Sequence, residues 1–167
     1  MFEIAQVIGF FAMAFAIISF QMKTSGKILI VQSIASGLWI VHFTLLSAYT
    51  GAVLNIFSVA RNFLYYFLQK KDVKGKVYFS TGAAVVGLCV SVFTYENLWS
   101  LLPMIATVIQ CYSFSIVRAK YLRIATLFAS PFWLTYDVYF RSYMGTATEV
   151  FAMISMIVAL IRYRKED

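Results

Sequence analysis

Eight residues of this chain could bind or move something polar, and all of them lie in apolar surroundings. Trp39, His42 (the only histidine), Asn55 and Arg61 fall within SGLWIVHFTLLSAYTGAVLNIFSVARN, residues 36–62, and Trp133, Tyr136, Asp137 and Glu149 fall in a second apolar region. Their types suit recognition. Indole and phenol rings offer a broad apolar face with a polar tip, a carboxamide both donates and accepts, and carboxylates or a guanidinium fix charge. Catalytic equipment is missing: one histidine, no HExxH, no Gly-x-Ser-x-Gly and no acidic metal cluster. No Gly-rich Lys-Ser/Thr phosphate loop is present to drive pumping with ATP. The expectation is a non-enzyme that binds a small-molecule solute, with no cofactor and no metal.

The elements that must position these residues are set by hydropathy. Of 167 residues, 62% are hydrophobic and 13% charged, and the mean hydropathy of +0.80 is far above that of a soluble domain. At 1.5 Å per residue, a helix needs roughly 17–25 apolar residues to cross a bilayer. Seven such segments are expected, near 4–22, 28–46, 50–68, 77–94, 98–116, 121–140 and 146–162. Their runs are continuous rather than alternating, so the fold class is an all-α integral membrane protein, not a barrel. MFEIAQ carries Glu3 and no basic residue, so the first span is expected to be a retained helix rather than a signal peptide. Cys89 and Cys111 lie within spans and imply neither a disulfide nor a metal site.

Basic residues predict orientation. Lys23, Lys27, Lys70, Lys71, Lys74, Lys76, Arg118, Lys120, Arg123, Arg162, Arg164 and Lys165 all fall on one side of a seven-span layout. The other side, with SAYTG, TYEN and RSYMG, holds Arg141 alone. The positive-inside rule then puts the N-terminus outside and the C-terminus in the cytoplasm, as a multi-pass protein of a bacterial inner membrane. The net charge of +7 is accounted for by this topology and by anionic lipid headgroups. The lipid bilayer is therefore a partner and nucleic acid is not. Oligomeric state is not read from the sequence.

An internal repeat is visible at an offset of 94. Trp39 falls on Trp133, and Ala12, Ser19, Phe20, Ile30, Ala35, Ser36, Tyr49, Gly51 and Phe57 meet identical residues at 106, 113, 114, 124, 129, 130, 143, 145 and 151. These ten identities over residues 11–68 concentrate at AS-x-x-W and Y-x-G. Residues 1–70 form a first triple-helix bundle, 71–97 a linker with span four, and 98–167 a second bundle. The odd linker makes the repeats parallel, with a site expected between the halves.

This three-plus-one-plus-three layout resembles the SWEET and SemiSWEET sugar transporters of the PQ-loop superfamily. The resemblance implies that Trp39 and Asn55, and in the second half Trp133 and Glu149, line a central substrate pocket. Ser19-Phe20-Gln21 keeps the glutamine of the family's Pro-Gln pair and lacks the proline. More narrowly, QMKTSGK and WIVHFTLLSAYTGAVLNIFSVARN look like the YgjV family of bacterial inner-membrane proteins. The function implied is alternating-access transport of a small polar, sugar-like solute. The alternatives are a vitamin or nucleoside facilitator of the nicotinamide-riboside-carrier type and a non-transporting membrane scaffold or sensor.

Each polar residue also has a plainer role. An ionisable side chain at mid-bilayer costs about 3 kcal/mol on insertion scales, so each should face protein or water. Trp39 and His42 share a helix face, as do Trp133, Tyr136 and Asp137; they form either an interfacial aromatic belt or a binding platform. Asn55 either bridges helices or meets the solute. Thr146-Ala-Thr-Glu149 fits a capping box, and Asp137 with Arg141 one turn later fits an ion pair. A carboxylate facing the pocket would instead be a candidate proton carrier. Arg61 either snorkels inward or gates the cytoplasmic side, with Gln32, Gln110 or backbone carbonyls as partners.

Overall fold

The computed structural model describes residues 2–71, 76–95 and 97–163. Lys74, Glu96, Arg164, Lys165 and the side chain of Lys76, used above to read topology, lie outside the described residues. Among those described there are eight α-helices and no strand: α1 Phe2–Phe20, α2 Ser25–Leu45, α3 Tyr49–Lys70, α4 Lys76–Phe93, α5 Leu101–Ser113, α6 Ala119–Leu127, α7 Ser130–Tyr139 and α8 Tyr143–Arg162. A 3₁₀ turn, Leu98–Ser100, leads into α5, with Asn97 accepting from the Trp99 amide at 3.0 Å. α1, α2 and α8 are long and apolar enough to cross a membrane. α3 is as long, but Asn55, Arg61 and Asn62 make it more polar.

The sixth expected span, 121–140, is not one helix. It breaks between Leu127 and Ser130, because Pro131 has no N–H to give the Leu127 carbonyl. Tight bonds fill the gap, from the Phe128 amide to Ala125 O (3.3 Å) and from Ala129 to Thr126 O (2.9 Å). At the repeat offset α2 carries Gly37 instead of proline, and α2 runs on unbroken.

Burial is inverted relative to a water-soluble protein. α1 buries Ala5, Gly9, Ala12, Ala16 and Ser19 and exposes Ile4, Val7, Phe10, Phe11, Phe15 and Ile18. α8 likewise buries Gly145, Thr148, Ala152, Ser155 and Ala159 and exposes Val150, Phe151, Ile154 and Ile161. In lipid, large apolar side chains gain nothing by turning inward, whereas small residues let backbones approach. α1 packs against α2 and α8, with Ser155 of α8 donating to the Ile17 carbonyl at 3.0 Å.

Six helices close a ring: α2 packs on α1 and α3, α3 on α5, α5 on α7, α7 on α8, and α8 on α1. α6 packs against α5 and α8, and α4 lies against α3 and α5. The lower end of the ring, at the α1–α2 and α5–α6 turns, is tied across the halves. Arg123 donates to Phe20 O (3.0 Å) and Met22 O (2.7 Å), and Gln21 donates to the Ser155 carbonyl (2.8 Å) and hydroxyl (2.7 Å).

The turns repeat bond for bond at the offset of 94. After α2, the Ser47 amide reaches Thr44 O and Ala48 reaches Phe43 O; after α7, Arg141 reaches Val138 O and Ser142 reaches Asp137 O. After α1, Gln21 reaches Ile18 O and Met22 reaches Ser19 O; after α5, Ser115 reaches Tyr112 O and Ile116 reaches Ser113 O. The two upper turns are Schellman closures, with Ser47 (φ 57°) and Arg141 (φ 53°) in the left-handed conformation that glycine fills most easily. Arg141→Gly is therefore expected to stabilise the protein, by about 0.5–1 kcal/mol of the left-handed penalty. Thermal unfolding in detergent checks the sign; a loss of stability would mean that the arginine side chain holds something in place.

Candidate functional site

A cavity of about 70 Å³ lies inside the ring, lined from α1, α2, α3, α5, α6, α7 and α8, with no residue from α4. Of the residues nominated from sequence, Trp39, Asn55, Arg61, Trp133, Asp137 and Glu149 line it, and His42 and Tyr136 do not. Most of the lining falls into pairs 94 residues apart: Trp39 with Trp133, Asn55 with Glu149, Ser36 with Ser130, Phe43 with Asp137, Phe20 with Phe114, Gln32 with Thr126, Ala16 with Gln110, and Ser58 with Ala152; Arg61, Gly145 and Thr148 stand outside the pairing. Phe43, Ser36, Ser130 and Thr148 also line it, and sequence reasoning misses all four. The signal for the serines is present, since AS-x-x-W places Ser36 and Ser130 three residues before each tryptophan, on the same helix face.

His42 and Tyr136, expected beside the solute, instead join the halves at the upper end. His42 Nδ1 lies 2.7 Å from Ala5 O and Nε2 lies 2.8 Å from Ser142 Oγ. A carbonyl can only accept, so Nδ1 carries a hydrogen. Tyr136, the repeat partner of His42, accepts from the Gly51 amide at 3.1 Å on its hydroxyl oxygen. Each side chain thus reaches the start of the long helix that follows in the opposite half. Both are fully buried.

The two tryptophans are not an interfacial belt, since both are almost fully buried against the cavity. Phe43 joins them, stacked on Trp133 at 6.2 Å between centroids and tilted against Trp39 at 5.6 Å. Trp39 also meets the His42 ring edge-on at 4.8 Å. The Asn55 amide N–H bonds Gly51 O one turn back at 2.9 Å, within α3 and not across helices.

Two ordinary roles for the carboxylates do not hold. α8 starts at Tyr143, with Ser142 as cap accepting from the Gly145 amide at 3.2 Å, so Glu149 lies well inside the helix and the 146–149 capping box does not form. Schellman closure brings the chain into α8 four residues earlier than the capping-box pattern suggests. Asp137 is buried and Arg141 is exposed on the left-handed turn, and the two make no ion pair. The Asp137 carboxylate packs against Gly145 in the first turn of α8, leaving Oδ1 without a hydrogen-bond partner among the described residues.

Arg61 does not snorkel to the surface; it is 2% exposed and lines the cavity. Six residues below Asn55 on α3, it lies about 9 Å deeper. Nε and Nη2 donate to Asn62 Oδ1 at 3.3 and 3.1 Å, and the guanidinium stands over the Phe114 ring at 4.9 Å. Nη1 has no hydrogen-bond partner among the described residues. Gln32, one expected acceptor, instead donates to Ser19 Oγ at 2.9 Å.

A family profile, Imp-YgjV, described as bacterial inner membrane protein, matches residues 3–167. No curated protein and no solved structure matches the chain.

Proposed function

Because the chain belongs to the Imp-YgjV family of bacterial inner membrane proteins, we propose that it carries a small polar solute across that membrane by alternating access. The single observation behind this reading is the cavity most of whose wall comes in pairs 94 residues apart from the two halves. A site shared by two related triplets is the arrangement in which rocking one half against the other exposes the same residues to either side. In this reading the chain crosses the bilayer seven times, with α6 and α7 together making the sixth crossing. The N-terminus is outside, the C-terminus is cytoplasmic, and the basic lower end faces the cytoplasm. Trp39, Asn55, Trp133 and Glu149 hold the solute, and the bonds of His42, Tyr136, Gln21 and Arg123 join the halves above and below it.

The reading is tested by thermal unfolding of the purified protein with sugars, nucleosides, vitamins and amino acids. A ligand at one hundred times its Kd stabilises the native state by about 2.7 kcal/mol. One solute class is expected to raise the unfolding temperature, and the shift should vanish in Asn55→Leu. If no class shifts the wild type, and Asn55→Leu changes only its intrinsic stability, the scaffold role replaces transport.

A further inference from the structure

The cavity carries a guanidinium towards one end and two carboxyl groups towards the other. At the lower end stands Arg61, fully buried, with Nη1 unbonded and no described carboxylate paired with it. Towards the upper end stand Asp137, with Oδ1 also unbonded, and Glu149. The wall also carries the indoles of Trp39 and Trp133. A buried donor or carboxyl oxygen left without a partner is unfavourable, and it is tolerated where a ligand completes it.

We propose that the solute is a small zwitterion of the amino-carboxylate type, its anionic group held by Arg61 and its cationic group by Glu149 and Asp137. This rests on the carrier reading above and specifies its substrate class. A guanidinium with a free N–H is the side chain best shaped to take a carboxylate. An ammonium between two carboxylates and beside indole faces gains both charge pairing and cation–π attraction. A neutral sugar would leave both ends unmatched; a simple cation would leave Arg61 unmatched, and a simple anion the carboxylates. Size agrees. The cavity of about 70 Å³ has room for about five waters at roughly 10–15 Å³ each, which suits a small solute better than a hexose.

The test uses the full chain in liposomes, with radiolabelled glycine, L-alanine and glucose as transported probes. N-acetylglycine, which lacks the cation, and glycine methyl ester, which lacks the anion, serve as competitors. Glycine or alanine uptake is expected to exceed that of protein-free liposomes at least tenfold. Neither singly charged competitor should inhibit it at a hundredfold excess. Arg61→Gln should reduce uptake at least tenfold, and Arg61→Lys should restore part of it. The competitor arms use wild-type protein, so they hold even if Arg61→Gln misfolds. Glucose uptake without glycine or alanine uptake overturns the zwitterion and leaves the carrier reading standing. Equal inhibition by either singly charged competitor also overturns the zwitterion. Flux of none of the probes, with no thermal shift by any solute class, overturns the carrier reading itself.

Discussion

Trp133→Ala reduces solute flux by at least tenfold, while Trp133→Phe keeps most of it. The indole stacks on Phe43, meets Tyr136 edge-on at 6.0 Å, and turns its remaining surface to the cavity. Truncating a buried aromatic costs about 3–5 kcal/mol, through lost contacts and the void left behind. Here one face already borders open space, so the stability loss should fall at or below the lower end of that range. The functional loss has a separate origin, because the solute loses its flat apolar wall. Trp39→Ala should behave alike, with a further effect, since its edge contact helps orient the His42 ring that reaches Ser142. Flux in liposomes and unfolding temperature in detergent, measured on the same preparations, separate the two effects. Flux retained in both alanine variants would remove the tryptophans from the site.

Glycines provide the second large effect, and its sign depends on position. A Cβ at Gly145 would overlap both Ser142 Oγ and the Asp137 carboxylate, the groups that shape the start of α8 and the upper wall of the cavity. A Cβ at Gly9 would lie 2.8 Å from His42 Nδ1 and 2.8 Å from Met144 Cβ, where α1 meets α2 and α8. Overpacking of this kind typically costs about 1–3 kcal/mol. Gly145→Val should reach or exceed the upper end, because its neighbours are a cap and a buried carboxylate that cannot both move aside. Gly37, by contrast, lies within α2, and a Cβ there would meet nothing within 4 Å. Gly37→Ala should be neutral or stabilising by up to about 1 kcal/mol, the intrinsic helix preference of alanine over glycine. Unfolding temperatures of Gly9→Ala, Gly145→Val and Gly37→Ala decide the matter. Equal losses at all three positions would mean that the close approaches at Gly9 and Gly145 are not what these glycines provide.

Much of this molecule is legible in its sequence because the information is local. A bilayer asks for long apolar runs, so composition alone identifies a helical membrane protein, and the boundaries of α2, α3 and α4 lie within a few residues of expectation. The offset of 94 aligns Trp39 with Trp133 and Asn55 with Glu149, and these four residues line one cavity. Tertiary structure decides the rest, because a side chain's role depends on what the neighbouring helices bring to it. Local spacing makes Glu149 a helix cap, but the turn at Arg141 starts α8 earlier and leaves the carboxylate on the cavity wall. Asp137 has an acid–base spacing with Arg141, but the same turn sends the arginine outward and the acid inward. His42 and Tyr136 share a helix face with the tryptophans, yet partners more than eighty residues away in the chain draw them into bonds between the halves. Arg61 is a charge in oil with no carboxylate near it in the sequence; packing places it in one cavity with two carboxyl groups that no local pattern could have set there. Hydropathy and periodicity fix which segments are helices, and only the packing of those helices fixes which face each one turns inward.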